Sequence, residues 1–328
     1  MNLSPPVFPY PWASEWGEDR YGLWQTLTYQ GIDYAFRWIP PGTFMMGSPE
    51  NEQGRYDNED LHSVILSQGF WLGETTVTQA LWQAVMSTNP SEFKGDNRPV
   101  ENVSWDDVQM FIERLNQMHR TLQTRLPWEA EWEYACRAGS QTPFNFDGEL
   151  NLDKVNYKGT WDFSDNPVEN AFRETAAVKT YSCNAWGLYE MHGNVWEWCQ
   201  DSWQKNLGTE AVCDPWLRQQ PLGLGAVHVM RGGSWLDVGR FVRSAYRGKN
   251  TPDSRSLNVG FRLALGHAEL KSGQGSGTKV SVAPDKDPGR RVAEQRQTGA
   301  LSGDDDGMIS NVVNRFKNWL GKGDNRKK

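Results

Sequence analysis

Hydrophobic residues recur at helical spacing most clearly in residues 100–119. The side chains that share one face of this segment are Val108, Phe111, Ile112 and Leu115. Ser104 precedes the pattern, and its side chain suits an N-cap because it can accept a hydrogen bond from a free amide of the first turn. Asp107 stands three residues later, where its carboxylate can bind the Ser104 amide in return. The pattern therefore predicts a helix capped by Ser104.

Two other segments combine apolar spacing with helix-start residues. Residues 70–86, FWLGETTVTQALWQAVM, predict a strand followed by a helix with Thr78 as the N-cap. Residues 125–139, RLPWEAEWEYACRAG, predict the second main helix after 100–119. Pro127 is expected at its first position, where a missing amide costs nothing. Three acidic residues in its first turns suit the positive end of the helix dipole: Glu129, Glu131 and Glu133.

The strand signals are short and are broken by turn residues. WIPPGTFMMGS, residues 38–48, predicts a strand interrupted by prolines and glycines. In GFRLAL, Phe261, Leu263 and Leu265 alternate as in a half-buried strand. Residues 139–266 otherwise show turn signals and no long helical period. The predicted class is α+β, with two main helices and short irregular strands.

The composition limits the functional classes. The chain of 328 residues has 17 Trp and 32 Gly, which is typical of a loop-rich domain held together by aromatic packing. A net charge of −7 gives no reason to expect nucleic-acid binding. There is no apolar run long enough for a membrane helix and no export signal, so a cytoplasmic protein is expected. Its four cysteines, at 136, 183, 199 and 213, are expected as free thiols, with a 199–213 disulfide as the open alternative.

The composition also changes along the chain. We expect residues 1–30 to pack on a body formed by residues 31–266. Residues 267–307 are rich in Gly, Ser, Pro and charge and predict a flexible linker. Residues 308–320, MISNVVNRFKNWL, predict an amphipathic helix. A helix of this length is marginal alone, so its apolar face needs a partner protein, a membrane surface or the chain's own body.

Seven motifs occur in the order of a known family. They are WIPPGTFMMGS, ETTVTQALWQAVM, RPVENVSWDD, RLPWEAEWEYACRAG, NAWGLYEMHGNVWEWCQD, MRGGSW and PDSRSLNVGFRLAL. The ordered set resembles the formylglycine-generating enzyme, or sulfatase-modifying factor, family. The resemblance implies a variant of the C-type lectin fold with little regular secondary structure, from about Phe36 to Leu265.

The resemblance implies two calcium sites, and calcium favours several oxygen ligands. The first would use the side chains of Glu190 and Glu197 and the carbonyls of Gly193 and Val195. Glu190 stands where some members have asparagine. The second would use, in the same way, Asn156, the Tyr157 carbonyl, Asn170 and the Phe172 carbonyl. Asn170 replaces a common aspartate, so this site has lost a charge. The alternative is that these side chains bind loop amides.

The family's chemistry is the point at which the resemblance fails. The enzymes use two cysteines between the RGGS and GFR motifs to bind copper(I), a soft ion that prefers thiolates. The corresponding stretch here contains no cysteine. The related iron-dependent members add a histidine-rich domain ahead of the fold, and no such cluster is found here. No copper or iron is therefore expected, and the domain is interpreted as non-catalytic. An oxidoreductase that uses other residues remains the alternative.

The same stretch resembles the variable proteins of diversity-generating retroelements, which display a mutable ligand-binding surface on this fold. Mutated template adenines leave codons that end in a pyrimidine, which cannot encode Lys, Glu, Gln, Met or Trp. The residues that obey this restriction are Leu236, Asp237, Val238, Gly239, Phe241, Val242, Tyr246, Gly248, Asn250, Ser256, Leu257 and Asn258; Lys249 does not. The predicted ligand-binding residues are Leu236, Asp237, Val238, Arg240, Phe241, Tyr246, Lys249, Asn250, Ser256, Leu257 and Asn258.

These residues define the 236–258 surface, which we expect to bind a protein or another macromolecule. The chain would then be a binding protein, with diversification by a retroelement as a further hypothesis. A third interpretation is a pseudoenzyme module of a signalling or defence assembly that is recruited through residues 308–320.

Overall fold

The computed structural model describes residues 3–119, 121–162, 173–218 and 227–266. The predicted linker at 267–307 and helix at 308–320 lie outside these ranges. The helices in them are α1 (Gln79–Met86), α2 (Trp105–Met118) and α3 (Glu129–Arg137). The strands in them are β1 (Ala13–Asp19), β2 (Gly22–Tyr29), β3 (Ile32–Ile39), β4 (Gly42–Met46), β5 (His62–Leu66), β6 (Phe70–Gly73), β7 (Thr124–Arg125), β8 (Trp196–Ser202), β9 (Val212–Cys213), β10 (His228–Arg231), β11 (Arg247–Asn250), β12 (Val259–Gly260) and β13 (Ala264–Leu265).

The capping signals position the first two helices. The Thr78 side chain accepts a hydrogen bond from the Leu81 amide at 3.3 Å. Ser104 and Asp107 bind each other's amides at 3.1 and 3.0 Å, so the predicted capping box is confirmed. The predicted α2 stripe is also confirmed, because all four of its side chains are buried. The longest of the described helices, α2, has 14 residues, and none of them is long and apolar enough to cross a bilayer.

Helix α3 begins two residues later than Pro127 predicts. The Glu131 carboxylate accepts the Trp128 amide at 2.9 Å, which makes Trp128 the N-cap and leaves Pro127 outside the helix. All nine residues of α3 are buried, including its glutamates. Beyond the helix dipole, the three glutamates form ion pairs with arginines: Glu129 with Arg247, Glu131 with Arg125, and Glu133 with Arg137 and Arg231.

The described strands form three sheets. One has the order β1-β2-β3-β6-β13-β7, the second β11-β10-β8-β12 and the third β4-β5-β9. Residues 13–29 form the first two strands of the six-stranded sheet, and β2 is antiparallel to β3 across the turn at Gln30 and Gly31. The second sheet supports the candidate site, because β11 lies within residues 236–258. It pairs antiparallel with β10, and Arg231 opposite Arg247 and His228 opposite Asn250 are the two ends of the pairing.

The GFRLAL segment is buried on both sides rather than half-buried. Phe261 and Leu263 are fully buried as predicted, but Arg262 and Ala264 between them are fully buried as well. The reason is that the Arg262 guanidinium is neutralised inside the protein. It donates to both Glu197 oxygens at 2.6 Å, so a charged residue takes a core position.

Candidate functional site

The 236–258 surface lies between β10 and β12 and is tied to a neighbouring loop through its backbone. The Lys158 amide donates to the Asp237 carbonyl at 2.9 Å, and the Gly239 amide donates to the Thr160 carbonyl at 2.7 Å. A 3-10 turn, Gly239–Phe241, follows these contacts. Because backbone atoms make these bonds, the path of the segment does not depend on most of its side chains.

Two buried arginines hold a second loop, residues 48–60, over the same segment. Arg243 is fully buried and forms ion pairs with Glu52 and Glu59 at 2.6 Å each. Arg247 pairs with Glu129 of α3 at 2.6 Å and donates to the Asn58 carbonyl at 3.0 Å. These are charge-assisted bonds in a buried setting, so they fix both the loop and the backbone of the surface.

Gly54 shows how closely this loop approaches the surface. It has a φ of +78°, and a side-chain Cβ there would lie 2.9 Å from the Cβ of Arg240 and 3.1 Å from the Trp161 ring. A non-glycine residue would therefore be strained and would displace its neighbours.

A chain of polar side chains runs beneath the surface to Asp237. The Ser256 hydroxyl donates to Asn258 Oδ1 at 2.6 Å, and Asn258 Nδ2 donates to Ser234 Oγ at 3.0 Å. Ser234 then donates to the Asp237 carboxylate. Burial raises the pKa of Asp237 to about 6, and the Ser234 bond opposes that rise. The chain presents one oriented carboxyl group at the edge of the surface.

Aromatic rings form the neighbouring part of the site. The rings of Phe241 and Tyr246 have centroids 4.6 Å apart, and Tyr56 from the 48–60 loop lies 5.2 Å from Tyr246. The Arg240 guanidinium lies 5.0 Å from the Phe241 centroid and pairs with Asp162 at 3.4 Å. Aromatic rings beside one arginine and the carboxyl groups of Asp162 and Asp237 are suited to contact with a macromolecule.

The structure divides the predicted ligand-binding residues into two groups. The half-buried group, whose side chains reach the surface, is Leu236, Asp237, Arg240, Tyr246, Lys249, Asn250 and Leu257. The buried group is Val238, Phe241, Ser256 and Asn258. The expectation that Phe241 is an exposed contact is not met, because its side chain packs in the main hydrophobic core. The buried group supports the surface instead of forming it.

Three further residues line the same region and are not predicted from the sequence. Tyr56, Trp161 and Asp162 are half-buried and contact Arg240, Gly239 or Tyr246. They come from loops distant in sequence, and no spacing rule links them to residues 236–258. Gly54, two residues before Tyr56, is a local signal of a close approach.

The first predicted calcium set does not fit an ion. Both Glu197 oxygens accept bonds from Arg262, and one of them also accepts the Trp132 indole N–H at 2.7 Å. The two Glu190 oxygens accept the amides of Lys179 and Tyr181. Burial raises the pKa of Glu190 to about 7, and the Arg262 charge opposes that rise. This guanidinium already supplies the positive charge that a calcium ion would bring.

The second calcium set stays a prediction. Asn170 and Phe172 lie outside the described residues. Asn156 is fully buried, and its Oδ1 has no hydrogen-bond partner among the residues that the structure describes. An unpartnered buried amide oxygen is a suitable calcium ligand, so Asn156 fits the set. Tyr157, the next residue, is also buried. In the same described ranges, no group of three His, Cys, Asp or Glu side chains could hold a metal.

The four cysteines are free thiols, as predicted, and the 199–213 disulfide is absent. Cys136 lies 3.8 Å from His192 Nε2, a pairing that resembles a nucleophile and its base. However, His192 Nε2 already accepts the Asn145 amide at 3.1 Å. Burial raises the pKa of Cys136 to about 12 and lowers the pKa of His192 to about 4. The thiol is therefore protonated and enclosed, unlike a reactive cysteine.

Glu101, beside the loop at Phe93, is a buried carboxyl group whose effect on stability depends on pH. One of its oxygens accepts the Glu92 and Phe93 amides, and the other has no partner in the described chain. Burial raises its pKa to about 7.

A raised pKa stabilises the fold at low pH, and that stabilisation is lost as pH rises towards 7. As the pH rises from 5 to 8, the free energy of unfolding of Glu101→Gln should therefore increase by about 2–3 kcal/mol relative to that of the parent protein. Urea unfolding of both proteins at four pH values measures this, and a pH-independent difference would contradict it.

The comparisons with known proteins place this geometry in a family. A model described as "Sulfatase-modifying factor enzyme 1-like domain" matches residues 33–266. The chain belongs to this family. It is 33% identical over 214 residues to a formylglycine-generating enzyme of Mus musculus, covering 63% of this chain and 54% of that protein. A Streptomyces coelicolor formylglycine-generating enzyme is 38% identical over 188 residues, covering 54% and 55%. The chain thus spans about half the length of these curated relatives.

Two solved structures resemble about three quarters of this chain. Treponema denticola variable protein 1 superposes with a TM-score of 0.61 at 27% identity, covering 74% of this chain and 98% of that one. PvdO from Pseudomonas aeruginosa gives a TM-score of 0.60 at 24% identity, covering 77% and 98%. The fold is therefore the formylglycine-generating-enzyme-like variant of the C-type lectin fold, as predicted, and the resemblance to variable proteins is confirmed.

Proposed function

We propose that this protein is a non-catalytic ligand-binding protein that displays the half-buried side chains of the 236–258 surface to a macromolecular partner. The observation behind the proposal is the separation of the frame from the displayed side chains. The frame consists of backbone bonds and of buried ion pairs made by Arg243 and Arg247. Residues such as Leu236 and Leu257 are not needed for those bonds, so their side chains can change without loss of the fold.

The chemistry of the displayed side chains is that of a protein-binding surface. Leu236, Tyr246 and Leu257 supply apolar area, and Arg240 and Asn250 supply orienting hydrogen bonds. A pre-organised backbone supports affinity because less conformational entropy is lost on binding. We therefore favour a protein partner over a small substrate at this surface.

The relatives support the proposal to different degrees. Treponema denticola variable protein 1 is matched over nearly its full length, and its name describes a variable protein. The formylglycine-generating enzymes are matched over about half of theirs. The cysteine-free stretch and the enclosed Cys136 give no support to an oxidoreductase. We also propose that the surface is diversified by a retroelement, as in variable proteins.

Diversification should be visible in the DNA that flanks the gene. We expect a near-copy of the codons for residues 231–265 and a reverse-transcriptase gene. The differences between copy and gene should fall at template adenines in codons for half-buried side chains, such as Leu236, Tyr246, Asn250 and Leu257. Codons for Arg243 and Arg247 should be identical, because replacing either arginine breaks the frame. Sequencing the flanking DNA measures this directly.

Two results would contradict the diversification hypothesis. One is the absence of both a template copy and a reverse transcriptase. The other is a copy whose differences fall equally on buried and half-buried positions. A binding function that rests on an unvarying surface would still stand in the first case. That binding function would be tested with the variant Leu257→Ala, which should bind a captured partner more weakly.

A further inference from the structure

Strand β1 leaves one edge of the six-stranded sheet free. Among the described strands it is the outermost of this sheet, and it pairs antiparallel with β2 on one side only. Most of its residues are exposed. Alternate residues of an edge strand direct their backbone N–H and C=O groups away from the neighbouring strand. The free edge of β1 therefore has the geometry that a further strand needs in order to pair with it.

Trp16 lies in the middle of this strand and is 53% exposed. Its ring contacts no other aromatic ring and no cation within the described ranges. On the opposite face of the strand, the Trp24 ring lies 3.2 Å from the position that a Cβ on Gly17 would take, so that face is covered. An exposed indole packs well against the aliphatic stem of lysine or arginine and attracts its positive charge. Trp16 is therefore a suitable anchor for a basic side chain.

The free charges on β1 are negative. Glu15 and Glu18 are both exposed, and neither forms a hydrogen bond or an ion pair in the part of the chain that the structure describes. Pairing of β1 with a second copy of itself would bring the same carboxylates together from both strands, and like charges across a strand pair are destabilising. A strand that carries lysine or arginine would instead meet complementary charges. The charge pattern thus favours a basic partner over a second copy.

The other charged groups at this end of the sheet already have partners. Asp19 pairs with Arg37 at 2.8 Å, so its charge is compensated within the protein. In the turn that follows, the Arg20 guanidinium lies 4.6 Å from the centroid of the Tyr21 ring and donates to the Tyr21 hydroxyl. Arg20 lies beyond the end of β1. The positive groups nearby therefore do not neutralise Glu15 and Glu18.

From this free edge, its exposed indole and its unpaired carboxylates, we propose that β1 binds an extended basic segment of a partner protein as an additional strand. Backbone hydrogen bonds along the edge supply affinity, and side-chain contacts supply specificity. One lysine or arginine of the segment packs on Trp16, and its neighbours pair with Glu15 and Glu18. The site shares no residue with the 236–258 surface, so it is independent of the proposed function.

The test is titration of the full-length protein with a fluorescein-labelled peptide of five Lys-Thr repeats, followed by fluorescence anisotropy. We expect saturable binding that weakens as salt is added, because exposed charges are screened. Hydrogen exchange should show that the peptide protects backbone amides within residues 14–18. A Glu-Thr peptide of the same length should not bind. A Lys-Thr peptide with N-methylated central amides keeps the charge but lacks the backbone donors, and it should bind much more weakly.

Variants of β1 test the side-chain contacts. Trp16→Ala, and Glu15→Gln combined with Glu18→Gln, should each weaken binding of the Lys-Thr peptide about fivefold or more. The matched controls are Met110→Ala and Glu113→Gln, which change an exposed apolar and an exposed acidic side chain of α2. Both controls should keep the parent affinity. All of these side chains are exposed, so thermal unfolding should change little in any variant.

Four results would overturn the proposal. They are the absence of saturable binding, equal binding of the N-methylated peptide, equal binding of the Glu-Thr peptide, and unchanged affinity in Trp16→Ala. Protection of residues 14–18 that needs no peptide and rises with protein concentration would overturn it as well, because it would assign this edge to a second copy of the chain.

Discussion

Replacing Arg262 by methionine should lower the free energy of unfolding by about 3–5 kcal/mol, the usual cost of breaking a buried ion pair by removing one partner. Arg262 is fully buried, and its guanidinium binds both oxygens of Glu197, which is 1% exposed. It also donates to the carbonyls of Gly73 and Tyr189. Methionine fills similar space but leaves the Glu197 carboxylate without a counter-charge. Urea unfolding at pH 7 measures the loss.

The double variant Arg262→Met, Glu197→Gln tests the cause. It removes the stranded charge while the glutamine oxygen can still accept the Trp132 indole bond, so it should recover half or more of the loss. A single variant within 1 kcal/mol of the parent would contradict the buried-pair interpretation. Because the Glu197 set does not fit calcium, any stabilisation by added Ca²⁺ should persist in Glu197→Gln.

The local parts of the fold could be predicted because their causes are local. The α2 cap depends on Ser104 and Asp107, three residues apart, and the apolar stripe on a period of 3.6. The ion pairs of α3 could not be predicted in this way. Glu129 binds Arg247, 118 positions away in the chain, and Glu133 binds Arg231, 98 positions away. The spacing of residues in the sequence does not predict ion pairs between residues that are close only in the folded chain.

The motifs that flank residues 236–258 indicate this segment as the ligand-binding surface, and that assignment stays a prediction. Leu236, Arg240 and Leu257 are half-buried, as side chains displayed on a surface must be. In an irregular segment, however, no period of 2 or 3.6 distinguishes inward from outward side chains. Phe241 and Leu257 are both apolar and both lie in turns. Only the packing shows that the first is buried and the second half-buried.

The burial of Phe241 predicts a large loss of stability when its ring is removed. Phe241→Ala should lower the free energy of unfolding by about 3–5 kcal/mol, because it removes a buried ring and leaves a cavity. The Phe241 ring packs against Tyr246, with centroids 4.6 Å apart, and against Tyr56, at 6.1 Å. Losing it should also loosen the 48–60 loop that contributes Tyr56. Thermal and urea unfolding measure the first effect, and amide hydrogen exchange in residues 48–60 measures the second.

Leu257→Ala is the matched control, since it shortens an apolar side chain of the same surface. Leu257 is half-buried, and its carbonyl, not its side chain, accepts the Trp235 indole bond at 3.3 Å. Its replacement should cost less than about 1 kcal/mol. Equal losses for the two variants would contradict the separation of frame and displayed side chains. If the losses differ as expected, reduced partner binding by Phe241→Ala reports a damaged frame. Reduced binding by Leu257→Ala then reports a contact with the ligand.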